Sequence, residues 1–357
     1  MRVATGLVVG VFVPAWVWAQ PGQKGPEALG APRPIETCSA YCAAVMANCT
    51  GDNAQYPDLD KCHDRCRSEG WEAGEPGAKD KDTLACRGTF ALLAKADPGG
   101  ACRNAGAMSP MCIAGQAIPV APPLDPAANT VIGLYDSKDG AEGERGQHAR
   151  KVVLAERLDR VLQSRGLVLV LHDLRKGLPD QALVKEATAI VTCMYDGVLP
   201  GAKSYLLWLA SQLDAGRKVV ILNDLGAFRD DAAPESQWLP DRLVNLVFEP
   251  LGVRYRGDWT GDGKLLRTVQ GDAALFHQKR LPKAENAGHY FMFERIGTDA
   301  KAHLLVRRTD RKDSQPSAVV VSSPRGGLAL TRYYEDLRDN ELLDLSAFLD
   351  RILPPKR

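Results

Sequence analysis

Net charge is almost absent from this chain, with 45 basic side chains against 44 acidic ones and a balance of +1 over 357 residues. Nothing in that balance attracts nucleic acid or an anionic membrane surface. Long apolar runs are missing beyond the N-terminal stretch, and the later ones, 167–171 and 219–222, are only strand-sized. There is no His-Glu-x-x-His and no Gly-x-Ser-x-Gly, and His148, His277, His289 and His303 show no metal spacing with one another. Cys-x2-Cys and the haem-attachment motif are also missing. Zinc peptidases, elbow-type serine hydrolases and c-type cytochromes are thereby excluded, and no metal or cofactor is implied. There is no internal repeat and no block of like charge.

Cysteine is scarce over most of the chain and dense in one place. Eight of the nine fall between Cys38 and Cys112, and beyond them only Cys193 remains. In front lies residues 1–19, with one early cation, Arg2, an apolar stretch interrupted by Thr5 and Pro14, and a Val17-Trp18-Ala19 close. This reads as a cleavable secretory signal, and Cys38 is too far beyond it to be a lipoprotein cysteine. No membrane span is expected after cleavage. An even cysteine count behind an export signal reads as a disulfide framework in an oxidising compartment, secreted or periplasmic.

Residues 20–35 are rich in proline and glycine and read as an extended tether, and 36–113 read as a cysteine-rich helical module. Cys38, Cys42, Val45 and Cys49 are spaced four, three and four, which puts them on one helix face, with Thr37 as N-cap and Gly51 as stop. Cys62 and Cys66 repeat the step within a helix over 58–69. Twin Cys-x3-Cys helices lying antiparallel favour Cys38 with Cys66 and Cys42 with Cys62, leaving Cys49, Cys86, Cys102 and Cys112 for two further bridges. A third helix is expected over 83–96. So small a module has few large apolar residues, and the staples replace much of its core. Its spacing resembles a cysteine-rich helical module found appended in secreted bacterial proteins.

A second proline-rich linker, 114–128, leads to a different rhythm over 129–357. Strands at 131–135, 167–171, 189–193 and 218–222 alternate with helices at 149–165, after Pro179 and at 200–215, with Gly166 and Gly216 as helix stops. Apolar, β-branched strands alternating with helices mean a doubly wound, mainly parallel α/β sheet. After Gly252 the pattern becomes β-rich, with strands at 290–294, 304–307, 318–321 and 328–332, a hairpin turn at 322–327 and a closing helix over 340–353 that packs back on the sheet.

Three stretches carry a likeness: Tyr135-Asp136-Ser137, the Val219–Gly226 stretch and the hairpin from Pro316 through Arg325-Gly326-Gly327-Leu328-Ala329. Together they resemble class I glutamine amidotransferase-like domains, in the accessory form attached to bacterial exopolysaccharide deacetylases and hydrolases. The resemblance implies a flavodoxin/amidotransferase-like fold and a nucleophilic cysteine at the sharp turn after the fourth strand, where a helix N-terminus lowers its pKa. Here Asp224 stands at that position, Cys193 belongs to the preceding strand, and the histidine and acid partners are missing from 322–327. The Asp plus His-x3-His set of metal-dependent deacetylases is missing too. The resemblance therefore implies the fold without the chemistry.

Ligands of open α/β sheets bind beyond the carboxyl ends of the strands, and this sequence places Asp136, Ser137, His172, Asp173, Asp196 and Asp224 there. Such carboxylates suit sugar hydroxyls or, if Asp136, Asp173 and Asp224 converge, a hydrolytic and even metal-assisted crevice. The plainer account is that Asp caps helices and turns. Gly140, Gly143 and Gly146 have the wrong spacing for a phosphate loop and sit beside Glu142 and Glu144. The stretch from Asp258 to Gly263 imitates a calcium loop but offers Val269 where glutamate belongs. The expectation is an exported, non-catalytic envelope protein that binds a carbohydrate or a partner protein. The rival is a hydrolase using the acidic crevice, and a third reading makes the region after Gly252 an oligomer interface.

Overall fold

A computed structural model describes residues 35–138, 149–194, 198–230, 237–259, 265–270, 273–277, 284–285, 291–310, 315–330 and 343–353. The signal, nearly all of the first tether, the three glycines at 140, 143 and 146, His148, Asp196 and His289 lie outside the described residues.

The cysteine module is built from short capped helices. Thr37 accepts the Ala40 amide at 3.2 Å to open α1 (Cys38–Asn48), and Asp58 accepts that of Lys61 at 2.7 Å to open α2 (Leu59–Glu69). Gly70, left-handed at φ 61°, closes α2. Thr83 caps α3 (Leu84–Leu93). Two helices the sequence reading did not anticipate follow, α4 (Pro98–Ala105) and α5 (Pro110–Ala114), capped by Asp97 and Ser109 with proline at the first helical position. The expected bridges Cys38–Cys66 and Cys42–Cys62 join α1 to α2, and Cys49–Cys102 and Cys86–Cys112 tie in the rest. Between them Tyr41 is fully buried, donates to the Ala105 carbonyl at 2.6 Å and meets Trp71 edge-on.

The larger domain opens with β1 (Thr130–Tyr135). A π-wound turn, Ala149–Leu158, continues as the helix Asp159–Gln163 and returns the chain to β2 (Val168–Asp173). Leu154, Leu158 and Leu162 are all fully buried, and Val161 is partly buried beside them. The short helix Gln181–Lys185 leads to β3 (Ala187–Met194), and the long helix Ala202–Asp214 to β4 (Lys218–Asn223). Gly166 and Gly216 hold φ of 71° and 87° at the two helix ends where the sequence places stops.

The β-rich part extends the same sheet. β8 (Leu265–Val269), β9 (Ala284–Glu285), β11 (Lys301–Arg308), β12 (Ser317–Ser323) and β13 (Gly326–Ala329) complete the order β2-β1-β3-β4-β13-β12-β11-β8-β9. The first five strands pair in parallel and the others are antiparallel. β5 (Arg229–Asp230) pairs with β6 (Gln237–Trp238), and β7 (Val253–Trp259) with β10 (Phe291–Arg295), as separate ribbons. Asp258 lies in β7, and residues 260–263 of the calcium-loop-like stretch lie outside the described residues. The described part of the closing helix is Leu345–Leu349, and its Phe348 is fully buried against Gly327 of β13. The domain is a doubly wound α/β fold with an antiparallel extension, preceded by the stapled helical module. No helix among the described residues is long and apolar enough to cross a membrane.

The two parts have largely separate apolar clusters, joined by Met108, Ile113 and Ala114 packing against the domain's core and by charge. Arg242, on the helix Asp241–Phe248, pairs with Glu69 at 2.9 Å and with Asp82, and lies 5.7 Å from the Trp71 ring. The other side of the site holds Arg87, fully buried, 4.0 Å over Trp71 and 2.6 Å from Asp82. Glu249 receives both Arg65 of the module at 3.4 Å and Arg254 of the domain at 2.7 Å. The proline-rich segment 114–128 runs along the domain. Buried Arg217 donates to the carbonyls of Pro122 at 2.7 Å and Pro123 at 3.3 Å, and to those of Val184 and Ala187.

Candidate functional site

Strand order reverses at β1, which is flanked by β2 and β3, so the crevice beyond their carboxyl ends is where such a sheet binds ligands. Tyr135 and Asp173 are register partners at the ends of β1 and β2. Asp136, 1% exposed, therefore emerges beside Asp173. Both Asp136 oxygens take the Arg175 guanidinium at 2.7 Å in a bidentate pair, and Oδ1 also accepts the Lys138 amide at 2.8 Å. Arg150, from the π-wound turn, donates to the carbonyls of Asp136 at 3.2 Å and Ser137 at 2.6 Å.

Asp173 accepts the amides of Ser137 at 3.0 Å and Arg175 at 3.1 Å. Its burial alone would raise the pKa, but hydrogen bonds from the Ser137 hydroxyl and these two amides outweigh it and hold the carboxyl below its ordinary range. Half-buried His172 places Nε2 2.8 Å from the Gly177 carbonyl, bracing the loop that carries Arg175. Ser137 is exposed. Asp136, Ser137, His172 and Asp173 thus gather at one end of the sheet, joined by two arginines that sequence reasoning did not single out. The signal for Arg175 was its place two residues beyond a strand-ending aspartate.

Asp224 is not part of that group. It follows β4, two strands from β1, a lateral offset of roughly 10 Å at ordinary strand spacing. Its Oδ1 accepts the Gly226 amide at 3.0 Å, and its carbonyl receives the Thr192 hydroxyl at 3.3 Å. Nearby Tyr205 is fully buried, and its phenol pKa is pushed up by that burial and by the Asp224 charge, with Thr192 acting the other way. The left-handed backbone at this turn belongs to Asn223, φ 68°, one residue before the position the sequence reading chose, and its amide nitrogen donates back to the Met194 carbonyl. From there the chain passes through buried Leu225, Ala227 and Phe228 into β5. The next helix among the described residues begins at Asp241, so no helix N-terminus follows the turn to activate a nucleophile.

Other candidates are structural. Cys193 lies outside the four bridges and is 1% exposed within β3. His303 of β11 is 2.8 Å from the Ser322 hydroxyl of β12, near the amino ends of the parallel strands. Burial, with the Lys301 charge adding to it, lowers that imidazole's pKa. Among the described residues no three His, Cys, Asp or Glu side chains form a group that could hold a metal ion.

No curated protein gives a significant sequence match to the chain. Among solved structures, the chain is similar to a glutamine amidotransferase from Thermotoga maritima, at 12% identity and TM-score 0.31, covering 59% of this chain and 82% of that one. It is also similar to a glutamine amidotransferase from Methylobacillus flagellatus, at 11% identity and TM-score 0.33, covering 63% and 88%. Strand order and register, rather than these scores, carry the fold class. In the stapled module, residues 35–114 match the family described as the BfoA family C-terminal domain.

Proposed function

We propose that this is an exported, non-catalytic binding protein of the bacterial envelope, whose ligand face lies at the carboxyl ends of β1 and β2. The observation that carries this reading is the engagement of its carboxylates: Asp136 is clamped by Arg175, Asp173 caps two amides and Asp224 caps its own turn. A carboxylate held in this way is a poor general base or nucleophile, since the hydrogen bonds it accepts occupy its lone pairs and stabilise the charged form. The same arrangement suits recognition. Buried Asp136 holds the Arg175 guanidinium in plane with an edge turned outward as donor to sugar hydroxyls, and Ser137 adds an exposed hydroxyl at its rim. The ligand class is carbohydrate, of the exopolysaccharide kind. Four disulfides support residence in an oxidising compartment.

A glycan array probed with the oxidised full chain tests this, followed by titration of the best glycan. Arg175→Met should weaken binding by about tenfold or more through loss of the bidentate pair, and Ser137→Ala by less. A silent array together with capture of a defined envelope protein would replace the carbohydrate with a protein partner. Release of reducing ends from a glycan by the purified protein would overturn the non-catalytic reading.

A further inference from the structure

We infer that β2 is the seam of a two-fold dimer, pairing antiparallel with β2 of a second copy about a centre at Leu169. β2 is the outermost strand of the nine-stranded sheet, and among the described residues only β1 pairs with it. The opposite edge, β9, is two residues long. Edge strands are ordinarily blunted by charge, proline, a bulge or brevity, because their open N–H and C=O groups invite another strand. β2 has none of these along Val168-Leu169-Val170-Leu171, where Val168 is 51% and Leu171 42% exposed.

Three features select a second copy as the occupant. The first is hydrogen-bond direction. The Val168 amide donates inward to the Asn129 carbonyl at 2.9 Å, so by the alternation of a strand Leu169 and Leu171 turn their N–H and C=O groups outward. The Leu167 amide is taken by the Leu162 carbonyl at 3.0 Å, which leaves the Leu167 carbonyl to continue the outward set.

The second is the sequence itself. Leu167-Val168-Leu169-Val170-Leu171 reads the same in both directions. A two-fold axis normal to the sheet at Leu169 sets Leu169 opposite Leu169, Val168 opposite Val170 and Leu167 opposite Leu171, every pair on one face. The third is that these agree in phase. The residue at the centre of such a seam must be an outward-facing, hydrogen-bonded pair, and Leu169 faces outward. Four backbone hydrogen bonds follow, from Leu169 N–H to Leu169 O and from Leu171 N–H to Leu167 O, each in both directions. The exposed Val168 and Leu171 side chains are covered in the same step.

The test is made on the oxidised full chain. Sedimentation should give twice the mass of one chain. Leu169→Cys should cross-link two copies without a linker, because the central hydrogen-bonded pair sets the Cα atoms about 5.5 Å apart, within disulfide reach. Leu171→Cys should not, since its own counterpart is four residues away along the seam. Leu169→Pro removes only an outward N–H and should weaken dimerisation by about tenfold or more, with Val168→Lys acting in the same direction through charge. A wild-type chain that stays monomeric at its highest soluble concentration overturns the proposal. So does a dimer in which Leu169→Cys forms no cross-link, whatever Leu169→Pro does.

Discussion

The stapled module and the α/β domain solve the same entropy problem by different means. In the module's apolar cluster, seven of eighteen buried residues are half-cystines, and the largest neighbours are Tyr41, Tyr56, Trp71 and Phe90. The domain's cluster runs through the sheet and both helical layers with Cys193 as its one cysteine. A small unit buries too little apolar surface to offset chain entropy and restricts its unfolded state covalently instead, whereas a large sheet with covered faces does not need to. Where the two meet, Met108, Ile113 and Ala114 pack against the domain's cluster beside a charged group centred on Arg242, Glu69, Asp82 and Trp71. Each part therefore keeps its own source of stability, and the junction couples them through these contacts.

Reduction should separate the two parts most strongly. Each bridge contributes about 2–4 kcal/mol, so reducing all four should unfold residues 35–114 while the α/β domain keeps a cooperative transition. Amide exchange resolved by region reads this, and equal loss of protection in both parts would break the contrast. The converse change is Phe348→Ala, which empties a fully buried site and should cost the domain about 3–5 kcal/mol with the module's exchange unchanged. Arg242→Ala should cost about 2 kcal/mol by removing partly buried, charge-assisted bonds, and should split one calorimetric transition into two. A single transition persisting at the lower temperature would mean that the junction is held by something other than these charges.

The smallest effect is set by pH. Burial keeps His303 neutral, so its folded pKa lies below the unfolded value of about 6.5. The stability it contributes is complete above that value and lost as pH falls through the lower folded pKa. His303→Gln should flatten the acid side of the domain's stability profile and leave the module's profile alone, as chemical denaturation at stepped pH would read.

Local signals carried far in this chain. Two Cys-x3-Cys steps put both sulfurs of each helix on one face, so the bridges Cys38–Cys66 and Cys42–Cys62 were legible before any tertiary geometry. The cap signals were also present at Asp97-Pro98 and Ser109-Pro110, but glycine and proline around them disguised α4 and α5 as loops. At the candidate site, the aspartates at strand ends were legible because strand ends are, and their partners were not. Arg175 and Arg150 reach Asp136 from 39 and 14 residues away, and Arg217 reaches Pro122 across 95.

Periodicity, caps and cysteine spacing are short-range properties, fixed by helix and strand geometry over a few residues, and they were enough for two of the four staples, the helices those staples join and the alternation of strands with helices. Which carboxylate meets which guanidinium, where the turn after β4 turns left-handed and which strand is left at the sheet edge depend on how distant segments pack. Those contacts form only when the chain closes on itself, and they determine that Asp136 and Asp173 share a site while Asp224 lies apart.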